Sequence, residues 1–185
     1  TDTAYISHHS AFEYYGLTNQ VFHEVYVSSE MKFNHFEYDH IVYKYVASRM
    51  SEGVVKAKNT TGVRITNLER TVIDSIRDFN KIGGVEELLN CLDGIHYVDE
   101  VKLKRYLDIY NIQGLYQKAG YLLDHYRIEM QLSKEFIEYC KDKIGKSRRY
   151  LVSETKKESY YNSEWELMVP DGLFEIKEQG GGLLV

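Results

Sequence analysis

Residues 66–74, which read TNLERTVID, constrain the fold of this chain more than any other stretch. Thr66 and Glu69 have the spacing of a capping box, in which each side chain bonds the other's backbone N–H at the start of a helix. Apolar residues then recur at intervals of three and four, as on one face of a helix. These residues are Leu68, Val72, Ile73, Ile76 and Phe79. We therefore predict a capped helix that packs against a core.

Charged residues lie on both sides of this predicted helix. At about 100° per residue, Glu69 projects into the apolar face, whereas Arg70 and Asp74 project away from it, as does Arg77. A buried carboxylate without partners costs several kcal/mol, so we expect backbone N–H groups or a basic side chain around Glu69. Thr66 and Glu69 are therefore assigned a structural role. The outward Arg70 and Asp74 either pair with each other on the surface, at i and i+4, or contact a partner.

Strand and helix patterns are segregated along the chain, which favours an α+β fold. A short helix from His8 to Tyr15 ends at Gly16 and precedes strand-forming segments at 21–27, 35–46, 53–58 and 62–65. After the capped helix, apolar periodicity predicts four more helices and two late strands. The helices cover 85–92, 99–110, 115–126 and a stretch that Ser133 caps, and the strands cover 149–153 and 166–169. The predicted fold is a short N-terminal helix, a small, mostly antiparallel sheet, a cluster of four to five helices and late strands.

Gly120 lies inside the helix predicted at 115–126. Glycine costs about 1 kcal/mol relative to alanine in a helix interior, so close helix packing is expected to compensate for it. Gly120 is therefore assigned a structural role.

The chain is divided into three parts by these patterns. Residues 1–80 form an α/β part, residues 81–145 form the helical part of the same domain, and residues 146–185 form a less characteristic segment that contains strands. The chain begins at Thr1 without a methionine, and residues 180–185 read GGGLLV and form no recognisable stop. We therefore expect a fragment or a processed product.

Composition limits the class of protein. A net charge of −5 over 185 residues excludes a chain that binds polyanions by bulk charge. No run approaches the roughly 20 apolar residues of a membrane span, and no signal peptide is recognisable. Cys91 and Cys140 fit small buried residues in helical patterns, which favours a reducing compartment. We therefore expect a cytoplasmic protein, whose 17 tyrosines fit either core edges or a Tyr-rich interface.

Groupings typical of catalysis or metal binding are weak in this sequence. His8 and His9 would point about 100° apart on a helix and could not easily share one ion. Neither cysteine has a zinc spacing to another ligand. The chain has no glycine-rich phosphate loop and no recognisable Ser-His-Asp or Cys-His grouping. We therefore expect no metal, no cofactor and no enzymatic activity.

One basic stretch runs from residue 141 to residue 157 in a chain that is acidic elsewhere. Its cations are Lys141, Lys143, Lys146, Arg148, Arg149, Lys156 and Lys157. These side chains form either a solvated face or a patch for nucleic acid or an acidic partner.

Three segments together resemble one family. Residues 5–11, YISHHSA, followed by Gly16 and Leu17, resemble the opening of the antitoxin domain of AbiEi-type proteins, the antitoxins of type IV abortive-infection systems. Residues 63–74 resemble the second hallmark of that domain. Residues 118–123, KAGYLL, are similar to its third hallmark, whose usual form is RLGYLL. The resemblance covers roughly residues 4–127, and the order and spacing of the motifs make the set more specific than each motif alone.

This resemblance implies an antitoxin and transcriptional regulator of a toxin–antitoxin system in phage defence. Such proteins usually carry an N-terminal winged helix-turn-helix domain that binds operator DNA and represses their own operon. Their antitoxin domain counters a nucleotidyltransferase toxin, with or without stable contact. Because no winged-helix segment precedes Thr1, operator DNA is expected to be bound mainly through a domain missing from this chain.

A second hypothesis is a nuclease-like, nucleic-acid-processing enzyme of a phage-defence system. It is motivated by the basic stretch and by acidic residues near strand ends, namely Glu37, Glu69 and Asp74. Paired carboxylates can hold a metal ion for phosphodiester chemistry. Glu69 and Asp74, however, are expected on opposite sides of one helix, where they would not meet at one ion.

Overall fold

Strands precede, and then follow, a series of helices in the computed structural model, which describes residues 3–152 and 158–175. The predicted α+β fold is confirmed. The described strands are β1 (Tyr5–Ile6), β2 (Glu24–Ser29), β3 (Phe36–Tyr38), β4 (Ile41–Ala47), β5 (Val54–Lys56), β6 (Arg64–Thr66), β7 (Arg149–Tyr150), β8 (Ser159–Asn162) and β9 (Leu167–Pro170). The described helices are α1 (His8–Tyr14), α2 (Leu68–Arg77), α3 (Val85–Asp93), α4 (Glu100–Tyr110), α5 (Gln113–His125) and α6 (Lys134–Lys143).

The first six strands form one mixed sheet in the order β3-β4-β2-β1-β6-β5. The pairs β1–β6 and β2–β4 are parallel, whereas the other three pairs are antiparallel. The sheet is therefore larger and less antiparallel than predicted. The difference arises at β1, which inserts between β2 and β6. A strand of two residues is too short to show the alternation on which strand prediction depends.

The segment 35–46, predicted as one strand-forming stretch, is a hairpin of β3 and β4. The strands pair across a two-residue turn at Asp39 and His40, whose φ angles are 50° and 61°. Turns with both central residues at positive φ match the twist of the flanking strands. Aromatic residues continue on both sides of this turn, and Phe36 stacks on Tyr43 with ring centroids 4.8 Å apart. Because strand-forming aromatic residues continue through the segment, its sequence pattern does not show the turn.

The main hydrophobic core of the described residues extends from Phe12 in α1 to Leu173 after β9, and a smaller cluster contains Ala11, Ala57 and Ile65. Helix α2 packs against α1, α4 and α5, and Ile73 in α2 is fully buried. The second sheet, ordered β7-β9-β8, contributes Trp165 and its neighbours to the same core. The described part of the segment 146–185 thus shares its core with the preceding helices. Strand β8 was not predicted from the sequence.

The expected close packing at Gly120 involves a side chain rather than another helix. A Cβ atom on Gly120 would overlap the indole ring of Trp165, which lies in the connection between β8 and β9. Trp165 is only 1% exposed, and its backbone N–H donates to Oδ1 of Asn162. Gly120 therefore allows the second sheet to pack directly against α5.

Candidate functional site

The start of α2 differs from the predicted capping box. Asn67 is the N-cap, and its Oδ1 accepts a hydrogen bond from the Arg70 N–H at 2.9 Å. Its Nδ2 donates to the hydroxyl of Tyr106 at 2.7 Å. Thr66 is the last residue of β6, and its hydroxyl lies 2.7 Å from that of Thr71. The box prediction is wrong because β6 extends through Thr66, which leaves the capping position to the next residue.

Glu69 has the partners that its inward position requires. It is 7% exposed, and its Oε1 accepts a hydrogen bond from the Asp99 N–H at 3.1 Å. The ammonium of Lys102 lies 3.7 Å from the same oxygen. Asp99 is itself the N-cap of α4. Glu69 thus links the start of α2 to the start of α4, which confirms its predicted burial beside a backbone N–H and a basic side chain.

Arg70 and Asp74 are buried, with 1% and 2% exposure, so the prediction that they project outward is wrong. Arg70 Nε lies 2.8 Å from both carboxylate oxygens of Asp74. The Tyr110 hydroxyl donates to Oδ1 of Asp74 at 2.5 Å. The remaining guanidinium nitrogens donate to the Glu52 carbonyl at 2.6 Å and to the Tyr5 hydroxyl at 3.3 Å.

The physical reason for this burial is that α2 has neighbours on more than one side. Residues 69–76 are all buried, although only part of this helix surface is apolar. The i, i+4 ion pair forms as its spacing allows, but inside the protein. Because both side chains are buried and bonded within the protein, they offer no free surface to a partner, and removal of either one would leave a buried charge uncompensated.

The histidines His8 and His9 have separate surroundings. His8 Nδ1 lies 2.9 Å from the Ser7 hydroxyl, which in turn lies 2.8 Å from that of Ser28. His9 Nε2 lies 3.7 Å from a carboxylate oxygen of Glu87. Burial lowers the pKa of each imidazole to about 4. Within residues 3–152 and 158–175, no group of three or more His, Cys, Asp or Glu side chains is arranged to hold a metal ion.

The three carboxylates behind the nuclease-like hypothesis lie apart in the structure. Asp74 is bound to Arg70, whereas Glu69 faces the start of α4. Glu37 lies exposed on β3, at the edge of the sheet. The structure therefore does not bring these residues to one site.

A cleft of about 600 Å³ lies between the end of α2, the start of α5 and β7. We call it the basic cleft, because four of its eight lining residues are cationic and none is acidic. The lining residues are Arg77, Ile112, Gly114, Leu115, Lys118, Arg148, Arg149 and Tyr150. Clefts of this size are typical of small-molecule sites.

The predicted basic patch divides into parts with different surroundings. Arg148 and Arg149 line the basic cleft. Lys141 instead pairs with Glu138 at 3.1 Å and Glu164 at 2.6 Å. Lys143 lies 5.3 Å from the ring centroid of Tyr139, and Lys146 is exposed. Lys156 and Lys157 lie outside the described residues.

Sequence reasoning missed Arg77 and Lys118 as members of this site. Arg77 ends α2 and Lys118 lies in α5, so neither belongs to the basic stretch. In the sequence, the available indications were the predicted outward direction of Arg77 and the position of Lys118 as the first residue of the KAGYLL motif. Their meeting with Arg148 and Arg149 depends on the packing of β7 beside α5.

Three of the four cations of the basic cleft lie near aromatic rings, with the Arg148 guanidinium 4.2 Å from the ring centroid of Tyr161. The Arg77 guanidinium lies 4.9 Å from the ring centroid of Tyr110, and the Lys118 ammonium lies 4.9 Å from that of Phe79. Burial lowers the pKa of Lys118, and the charge of Arg149 lowers it further against the opposing effect of Asp78. Lys118 and Arg149 therefore lie close enough for each charge to act on the other, and an anion in the cleft would be attracted by both.

This architecture, a mixed sheet followed by a helical cluster, is shared with a solved structure. The crystal structure of the RV2827C protein from Mycobacterium tuberculosis matches with a TM-score of 0.66 and 14% sequence identity. The match covers 95% of this chain and 66% of that chain, so this chain spans just under two thirds of that protein's length. At this identity the likeness shows a common fold. No family model matches the chain, and no curated protein sequence matches it.

Over residues 3–152 and 158–175, every helix is too short or too polar to cross a membrane.

Proposed function

We propose that this chain is the antitoxin domain of a type IV, AbiE-like toxin–antitoxin system in phage defence. In this proposal it counters a nucleotidyltransferase toxin in the cytoplasm and has no catalytic activity of its own. The observation that carries the proposal is that three segments resembling the antitoxin domain meet at α2, although they are far apart in the sequence.

Specific contacts connect the three segments. Tyr5 of the first segment accepts a hydrogen bond from Arg70 of the second, with an Nη2–Oη distance of 3.3 Å. Helix α5 carries the third segment and packs against α2, with Ala119 fully buried. Because the three segments contact one another in the folded chain, the proposal that they mark a single domain is supported. We therefore propose that the motif residues stabilise the fold, and that toxin neutralisation depends on surface residues outside the three motifs.

Growth rescue tests the antitoxin function directly. Cells that express the nucleotidyltransferase encoded beside this protein should stop growing. Co-expression of the protein with its native N-terminus should restore growth. If the cells remain arrested while the protein accumulates in folded form, the proposal is contradicted.

The Glu69→Ala variant tests whether Glu69 stabilises the fold or contacts the toxin. The change leaves the Asp99 N–H without its acceptor and should lower the free energy of unfolding by about 1 kcal/mol or more. Rescue should fall only as far as the folded fraction falls. Glu138→Ala removes an exposed ion pair with Lys141, which is worth about 1 kcal/mol or less, and should leave rescue unchanged. Full stability of Glu69→Ala combined with lost rescue would show instead that Glu69 acts in neutralisation.

Operon regulation is proposed for the protein that carries the winged helix-turn-helix domain. In a mobility-shift assay, operator DNA should bind tightly only when that upstream domain is present. Equally tight, sequence-specific binding by residues 1–185 alone would contradict this division of roles.

A further inference from the structure

We propose that the basic cleft binds a nucleotide through its polyphosphate group. This inference goes beyond the antitoxin function and holds whether or not the chain counters a toxin. It rests on the charge, the geometry and the size of the cleft.

The four cations of the cleft have no ion-pair partner among the described residues, although the charge of Asp78 acts on Lys118. No ion pair joins Arg77, Lys118, Arg148 or Arg149 to a described carboxylate. The nearby Asp78 pairs with Lys81 instead. This concentration occurs in a chain whose net charge is −5, so the positive field is local. A multiply charged anion of small size is the ligand that such converging cations recognise.

Backbone geometry adds to this attraction at the start of α5. The lining residues Ile112, Gly114 and Leu115 belong to the N-cap and the first turn of this 13-residue helix. No side chain caps the helix, and its first turn contains no acidic residue. The partial positive charge of the helix end therefore has the same sign as the four cations that surround it.

The arginines reach the cleft from a segment that is held in place. The Arg149 N–H donates to the Glu166 carbonyl at 3.0 Å, and Gln117 Nε2 donates to the Ser147 carbonyl at 3.1 Å. The Arg149 side chain lies so close to Gly114 that a Cβ atom there would be 2.9 Å from its Cδ. Two cationic residues lie on helices, Arg149 begins the anchored strand β7 and Arg148 directly precedes it, so the site needs little rearrangement to bind an anion.

Size and apolar lining distinguish a nucleotide from a free phosphate ion. The volume of about 600 Å³ exceeds what a single phosphate would fill. Ile112, Leu115 and Tyr150 supply apolar surface beside the cations, and Tyr150 is 52% exposed. An aromatic ring at the mouth of a cationic cleft can stack on a base while the cations hold the phosphates.

Fluorescence anisotropy with a labelled ATP analogue tests the proposal on the full chain. We expect saturable binding that unlabelled ATP and inorganic tripolyphosphate both displace, whereas adenosine displaces it poorly. Arg77→Gln and Arg149→Gln should each weaken binding by about tenfold, because each removes a charged hydrogen-bond donor. Lys143→Gln removes one positive charge on α6, outside the cleft, and should leave the affinity unchanged.

Gly114→Ala provides a second variant that keeps every charge. Its methyl group should displace the Arg149 side chain and weaken nucleotide binding, with circular dichroism confirming that the fold is retained. The proposal is overturned if the analogue does not bind at millimolar protein, or if Lys143→Gln weakens binding as much as Arg149→Gln. It is also overturned if DNA or RNA oligonucleotides bind through these residues and tripolyphosphate cannot compete, because the site would then be a nucleic-acid surface.

Discussion

At the scale of single residues, the guanidinium of Arg70 connects three parts of the chain. It bonds Asp74 within α2, the Glu52 backbone before β5 and the Tyr5 hydroxyl in β1. Its removal would leave the Asp74 carboxylate buried, with the Tyr110 hydroxyl still donating a hydrogen bond to it. An unpaired buried charge is costly because the protein interior solvates it poorly.

Arg70→Ala should therefore lower the free energy of unfolding by about 3–5 kcal/mol in urea denaturation. Arg77→Ala is the matched control, because Arg77 lies at the end of the same helix and forms no ion pair with a described residue. The control should cost about 1 kcal/mol or less, through the lost contact with the Tyr110 ring. Equal stability of the two variants would contradict the structural role of Arg70.

The buried imidazole of His8 predicts a pH dependence of stability. Burial lowers its pKa from 6.5 to about 4, with Asp74 acting against this shift and Lys81 acting with it. Between these values the unfolded chain binds a proton that the folded chain does not. The contribution to stability is therefore full above pH 6.5 and decreases as the pH falls toward 4, by about 3 kcal/mol in total.

His8→Asn isolates this contribution, because asparagine tolerates the positive φ of 55° at this position and does not titrate. Urea denaturation at several pH values should give a shallower loss of stability for the variant than for the wild type. Parallel profiles for His8→Asn and the wild type would contradict the prediction.

At the scale of elements, Gly120 determines how closely the second sheet approaches α5. Gly120→Ala improves helix propensity by about 1 kcal/mol but drives a methyl group into the Trp165 ring. Overpacking of this kind costs about 1–3 kcal/mol, so we expect net destabilisation and altered emission from the only tryptophan. Gln113→Ala, at an exposed position of α5, should be close to neutral.

A double-mutant cycle makes the Gly120 prediction specific. If the methyl group acts through the indole, Gly120→Ala should cost less in a Trp165→Leu background than in the wild type. Additive effects in thermal or urea unfolding would show that Gly120 matters for a different reason.

At the scale of the whole molecule, one core that extends from Phe12 to Leu173 predicts a single cooperative unfolding transition. Trp165 fluorescence reports the second sheet, and far-UV circular dichroism reports mainly the helices. The two transitions should coincide in urea within error. Separate midpoints would show that the second sheet unfolds independently of the helices.

Local patterns gave much of the fold. Helix α1 and its end at Gly16, the helix α2 and the four later helices were all predicted near their observed places. The apolar periodicity of a helix repeats over three turns or more and is readable without tertiary information. The sequence did not predict the strands β1 and β8, and it did not divide β3 from β4 at Asp39. Short strands and two-residue turns contain too few residues to form a recognisable pattern.

The candidate site was less predictable than the fold. Arg148 and Arg149 belonged to the predicted basic stretch, whereas Arg77 and Lys118 did not. The four side chains come from α2, α5 and the segment at β7, so no spacing along the chain connects them. Cation clusters of this kind become visible only when the packing of elements is known.

The sequence by itself determined which residues form helices, where α1 ends and that Glu69 needs polar partners, because these depend on neighbours within a few residues. Only the tertiary structure decided that Arg70 and Asp74 are interior. Periodicity identifies the most apolar face of a helix, but it does not show how many sides its neighbours cover. Because α1, α4 and α5 all pack against α2, the Arg70–Asp74 pair, which the sequence pattern predicts at the surface, is buried.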